Sequence, residues 1–177
     1  MEGIKIKNID FSGIDFTGAN LKGATIDNCY FVGSNLTKAD LSWSEIFFSA
    51  FDDADITEAN IEGAKINSCR FNCARISNSN LDLLDIACSH MLEASFLCSS
   101  IMHSRFCCVE LGDADISSAC VRHTKIVNCR FDNVLVMFSD FECVEFRQSY
   151  IENIDFLDVK NKSTICFVES ETQEVLI

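Results

Sequence analysis

The sequence predicts an all-β solenoid whose wall bends every five residues, and three observations predict it. Large apolar residues recur with a period of five. A series of mostly small residues runs two positions ahead of them in the same register. The 177 residues include no proline and only seven glycines, too little punctuation for the turns of a β-sandwich.

The large series starts at Ile6 and steps through Phe11, Phe16, Leu21, Ile26 and Phe31 to Phe156 without a slip. All 31 of its members are Ile, Leu, Phe, Met or Val, and 11 of the 15 phenylalanines lie on it. Those five residue types make up only about a third of the chain, so chance does not produce the pattern. In the second series, from Ile4 to Ile154, 23 of 31 residues are Ala, Ser, Cys or Thr and none is charged. Between the two sits a mostly polar residue, as in Ala19-Asn20-Leu21 and Ala39-Asp40-Leu41. A period of five is neither helical nor a simple strand alternation. It implies short sides, each turning one large and one small side chain inward.

A small residue, then Asn or Asp, then Leu or Phe, then two polar positions is a motif that resembles the pentapeptide-repeat family. The resemblance covers residues 4 to about 159. It implies a right-handed quadrilateral β-helix with four pentapeptides per coil, about seven to eight coils, no interrupting loops, and neighbours 20 residues apart. The 20-residue columns agree: Ile6, Ile26, Ile46, Ile66 and Ile86 line face 1, and Phe11, Phe31, Phe51 and Phe71 line face 2. Faces 3 and 4 start at Phe16 and Leu21. At roughly 4.8 Å per coil the rod is about 37 Å long.

Bulky residues in the small slots near the ends, Ile4, Ile9 and Ile14, then Val134, Val144 and Ile154, are expected to close the core. The chain therefore divides into a repeat helix over 1–159 and a C-terminal segment over 160–177. Phe167, Val168, Val175, Leu176 and Ile177 make that segment too apolar for a loose tail. It is expected to cap the last coil, to pair with a second copy, or both, since a terminal coil exposes unpaired edges.

The formal charge of −13 argues against direct nucleic-acid binding, which needs phosphates neutralised by Lys and Arg, and against an anionic membrane. No apolar run is long enough for a signal peptide or a membrane span. Eleven cysteines without a secretory leader read as reduced thiols, hence a cytoplasmic protein.

Chemistry is sparse. The sequence has no phosphate loop, no HExxH and no nucleophile elbow, and an unbroken prism offers walls rather than pockets, so neither an enzyme nor a cofactor is expected. His103, His123 and Cys143 share an outward column but lack a fourth zinc ligand and supporting groups. No metal site is assigned.

Function must then lie on the surface. An acidic corner between faces 2 and 3 carries Asp52, Asp53, Asp55, Glu58, Glu93, Glu110, Asp113 and Asp115, interrupted by Arg70, Arg75 and Arg130. Outward apolar residues, Trp43, Phe47 and Phe48 in one group and Leu92, Leu97 and Met102 in a belt around the fifth coil, are a second candidate binding surface. Some members of the family resemble duplex DNA in size and charge and bind DNA gyrase or topoisomerase IV in its place. The resemblance thus implies a non-enzymatic DNA mimic that modulates or protects a topoisomerase and dimerises through its C-terminus. The alternative is a protein-binding scaffold without mimicry.

Overall fold

The structure is a computed structural model that describes residues 3–177. The first two residues of the 1–159 repeat region lie outside the described residues. Four sides of five residues complete one coil, and each coil lies on the next in parallel register with an offset of 20. Face 1 is a nine-stranded parallel sheet from Lys5–Lys7 through Thr25–Asp27 and Glu45–Phe47 to Glu145–Arg147 and Cys166–Val168. On the other faces the ladder narrows in the earlier coils to single bridges such as Tyr30↔Ala50, Asn35↔Asp55 and Asp40↔Asn60, and widens to three-stranded sheets on faces 2 and 4 toward the C-terminal end. No helix among the described residues is long and apolar enough to cross a membrane.

The corners explain the outward part of the motif. On faces 2 to 4 a tight turn closes each side of the earlier coils, with Ile14 N–H donating to Phe11 O at 3.1 Å and Ala19 N–H to Phe16 O at 2.9 Å. The residue two past each apolar centre is left-handed, as at Gly33 (φ 62), Asp53 (φ 57) and Phe138 (φ 59). No Val, Ile or Thr has a positive φ, because a branched Cβ clashes with the backbone there. The Asn or Asp before the centre caps the turn: Asp10, Asp15 and Asp115 Oδ1 each accept the backbone N–H two residues on at 2.9 Å. These are Asx turns, so much of the chain's acidity serves its framework.

Acid should therefore weaken the rod. Hydrogen bonds from Ser12 and Thr17, side chain and backbone, hold the Asp10 and Asp15 carboxyls below the usual carboxylate range. A lowered folded-state pKa gives stability that is present above the unfolded value, about 3.9, and lost as pH falls through the folded value. Melting followed by circular dichroism is expected to be nearly flat from pH 7 to about 5 and to drop below about pH 4. A midpoint that rose on acidification would contradict the capping role.

Inside, the rings of Phe31, Phe51 and Phe71 stack with centroids 4.8 Å apart and planes within 4°, which reproduces the coil spacing. Small-slot hydroxyls are satisfied by the wall itself, except that the buried Ser44 Oγ has no partner among the described residues. Ser79 Oγ donates to Ile56 O at 2.9 Å and accepts Ala59 N–H at 3.1 Å. Ser99, Ser104, Thr124 and Ser139 repeat the donation at 2.7 Å. Cys29, Cys69 and Cys129 fill the same kind of slot and are buried. Burial pushes the Cys69 thiol up to about 11 and that of Cys129 up to about 12. A thiol reagent such as DTNB should label Cys88, Cys98, Cys143 and Cys166 in the native protein, all exposed, and reach these three only after unfolding. Native labelling of Cys69 or Cys129 would mean that the wall opens.

Residues 160–177 add a further coil beyond the seven to eight that the repeats supply. A 3-10 turn at Lys162–Thr164 replaces a regular side and moves the offset from 20 to 21, giving Glu145↔Cys166 and Tyr150↔Glu171. Phe167 stacks on Phe146 at 5.3 Å and 11°, so the Phe column of face 1 continues into the tail.

One part of the ladder is missing. On face 3, Ile116 and Ser118 N–H donate to Leu135 and Met137 O at 2.7 and 2.8 Å. The next coil should accept from Val136 and Phe138 in the same way, yet neither N–H has a backbone partner among the described residues. Pairing stops at Asn133 N–H to Glu152 O and resumes at Lys160 N–H to Ser139 O. The small-slot column of face 3 reads Ser34, Ala54, Ala74, Ala94 and Ala114, then Val134 and Ile154, all buried, so the break coincides with the first two bulky side chains in successive small slots after Ala114.

Candidate functional surfaces

The acidic corner is less uniform than its sequence. Arg70 Nε reaches Asp52 at 2.9 Å, Arg75 pairs with Asp55, and Lys38 lies 3.5 Å from Glu58. His90 Nδ1 is 2.9 Å from Glu110. Burial raises the Asp55 carboxyl, but hydrogen bonds from Thr57 and the Arg75 guanidinium outweigh it and leave the pKa below the usual range. Asp55 and Asp115 also cap turns, through Thr57 and Ser117 N–H.

Asp53, Glu93 and Asp113 remain. All three are exposed, sit in one left-handed corner column with φ 57, and have no ion-pair partner among the described residues. Asn133 Nδ2 donates to Asp113 at 3.3 Å, and Cys73 stands between Asp53 and Glu93 in the column. Desolvation and the carboxylates of Glu93, Asp53 and Asp52 raise the Cys73 thiol. The cations of face 1 are largely engaged, with Lys7–Asp27 at 2.7 Å and Arg147–Glu145 at 2.8 Å. Asp53, Glu93 and Asp113 thus carry negative charge along the corner between faces 2 and 3 that no ion pair offsets among the described residues.

The apolar candidates occupy several faces. Trp43, 53% exposed, stands at the corner of faces 4 and 1, whereas Phe48, 65% exposed, stands at the opposite edge of face 1 beside half-buried Phe47. The Trp43 indole lies over Gly63, where an added Cβ would come within 2.6 Å of Cε3. Gly63, also left-handed at φ 64, is needed on both counts. Leu92, Leu97 and Met102 follow the apolar centres of faces 2, 3 and 4 and so point in three directions. In the tail, Phe167, Val168 and Val175 are half-buried against the preceding coil, while Leu176 and Ile177 are exposed.

A tighter apolar group lies on face 3 near the C-terminal end. Leu135, Met137, Phe138 and Leu157 are all exposed, and Leu176 follows Asp155 in the column of Leu135. A hollow of about 210 Å³, lined by Val134, Leu135, Val136, Met137, Asn153, Asp155 and Asp158, opens where the ladder is broken. In the sequence, Leu135, Met137 and Phe138 fall on outward positions that the motif otherwise leaves polar.

His103 and His123 stack at 5.0 Å with planes 6° apart. No group of three or more metal-ligating side chains converges among the described residues. The void enclosed by Phe96, Phe106, Phe131 and Phe141 is only about 10 Å³.

Residues 4–81 match the family model described as a pentapeptide repeat region. Full-length QnrB1, a plasmid-mediated fluoroquinolone resistance protein, is similar in fold with a TM-score of 0.68 at 18% identity, over 92% of this chain and 93% of that one. A trypsin-treated form of QnrB1 gives a TM-score of 0.68 at 16% identity, over 97% and 90%. HetL, from the cyanobacterium Nostoc and involved in heterocyst differentiation regulation, gives 0.46 at 16% identity, over 99% and 86%. No protein of curated function matches by sequence. Residues 4–81 thus form a pentapeptide repeat region, and the same five-residue register carried unbroken to Phe156 and the stacked parallel coils extend that fold over the rest of the rod.

Proposed function

We propose that this protein is a non-enzymatic binding rod that engages a type II topoisomerase, gyrase or topoisomerase IV, at the surface that otherwise holds DNA, and so modulates or protects that enzyme. The observation that carries the reading is the column of unpaired carboxylates, Asp53, Glu93 and Asp113, along one edge of an uninterrupted rod. Such an edge presents negative potential to a basic groove. The coil spacing of 4.8 Å differs from the phosphate spacing of about 3.4 Å along a DNA strand. The likeness is therefore one of shape and potential, not of atom-for-atom matching. The fold shared with QnrB1 supports the reading, as does a core filled by side chains with no room for a substrate. The exposed free edge of Glu171–Leu176 suits pairing with a second copy, which would lengthen the rod.

A supercoiling assay with purified protein titrated into gyrase, with and without a quinolone, tests this. Inhibition, or protection from the drug, at low micromolar protein is the expected result. No effect on gyrase or topoisomerase IV would leave the scaffold reading, which the exposure of Trp43 and Phe48 favours.

A further inference from the structure

The group on face 3 combines features that folding alone does not require. Phe138 is 61% exposed and sits in a left-handed corner at φ 59, where Gly or Asn would be less strained. It contributes strain without burial. Beside it, the Val136 and Phe138 N–H groups lack the backbone acceptors that every earlier coil of face 3 supplies, and backbone donors of this kind call for a partner. The hollow of about 210 Å³ between the two coils is bordered by Leu135 and Met137 on one side and by Asp155 and Asp158, which flank Leu157 in sequence, on the other.

The surrounding charge is mainly negative. Asp115, Asp155 and Asp158 flank the apolar residues, and none has an ion-pair partner among the described residues. The nearby Lys162 ammonium is turned to the Leu157 carbonyl at 3.2 Å. Asp155 and Asp115 each commit one oxygen to a turn cap, at 2.8 and 2.9 Å, and leave the other free.

We infer that this hollow is a docking site for a basic amphipathic segment of a partner protein, which lays apolar side chains on Leu135, Met137, Phe138 and Leu157 and sets cations against Asp155 and Asp158. Charge selects this occupant over a second copy. Two chains of −13 each would bring the like-charged rims of this patch together, which disfavours self-pairing at this face. Asp115 and Asn153 bring the site up against the end of the acidic corner, but Phe138 and Leu157 lie off the carboxylate column, so their variants test it independently of topoisomerase binding.

The test uses the full chain and a synthetic Leu/Lys amphipathic helix of about 18 residues, with a scrambled peptide of identical composition. Fluorescence anisotropy should show saturable one-to-one binding of the amphipathic peptide, at least tenfold tighter than the scramble. Phe138→Asn, a residue suited to the left-handed corner, and Leu157→Ser should each weaken it at least tenfold while leaving the melting temperature unchanged or higher. Equal binding of the scramble would reduce the effect to general electrostatics and overturn the inference. So would unchanged binding by both variants. A wild-type dimer in sedimentation that dissociates on Phe138→Asn would make the patch a self-interface, and would overturn it equally.

Discussion

Phe51→Ala is expected to lower the unfolding free energy by about 3–5 kcal/mol, the range for deleting a large buried aromatic. The ring is fully buried and lies between Phe31 and Phe71 at 4.8 Å on either side, so its removal leaves a cavity bounded by two flat faces. In a solenoid each coil is supported only by its neighbours. The surrounding coils cannot close the gap without breaking the backbone ladder, which puts the loss toward the upper end. Urea denaturation followed by circular dichroism measures it. Phe48→Ala provides the contrast. That ring is 65% exposed at a left-handed corner, and its loss should change stability by no more than about 0.5 kcal/mol. Equal costs at positions 51 and 48 would contradict the assignment of inward and outward positions.

The largest functional effect is expected from reversing the free carboxylates. Asp53, Glu93 and Asp113 changed together to Lys should raise the protein concentration needed for any effect on gyrase at least tenfold. Like-charge juxtaposition at an interface costs several kcal/mol, and each tenfold in affinity corresponds to about 1.4 kcal/mol. The fold should tolerate the change, because Lys38 already occupies an equivalent left-handed corner at φ 61. Asp55 and Asp115 are poorer choices despite their place in the same acidic cluster. Each accepts a backbone N–H that closes a turn, so a loss of activity there would be confounded with a loss of stability. Unchanged melting with lost activity is the informative outcome. Full activity in the triple variant would exclude the corner as the contact surface.

The five-residue period made the wall legible because each side must send one large and one small side chain inward. Ile6 over Ile26 and Phe31 over Phe51 could be placed before any coordinates were available. The tail was less legible. Its apolar residues signalled burial, but the Lys162–Thr164 turn shifts the register by one residue, and no count in steps of five could anticipate that. The acidic corner was readable as a set of positions and not as a field. Pairing of Asp52 with Arg70 or of Glu110 with His90 depends on how long side chains lean across coils. Trp43, Phe47 and Phe48 are close in sequence, yet a corner residue and the next corner five positions later stand at opposite edges of one face. The break on face 3 was not legible, because Val134 and Ile154 read equally as caps of the core and bulky small-slot pairs elsewhere leave the ladder intact.

The most direct measurement is displacement of DNA from the topoisomerase. A fluorescently labelled duplex bound to gyrase is titrated with this protein while anisotropy is followed. The account predicts that the duplex is released as the protein binds, and that the triple Lys variant at 53, 93 and 113 releases it at least tenfold less effectively. If gyrase binds the protein while the duplex stays bound, or if the variant displaces DNA as well as the parent, the rod does not occupy the DNA site through its acidic edge.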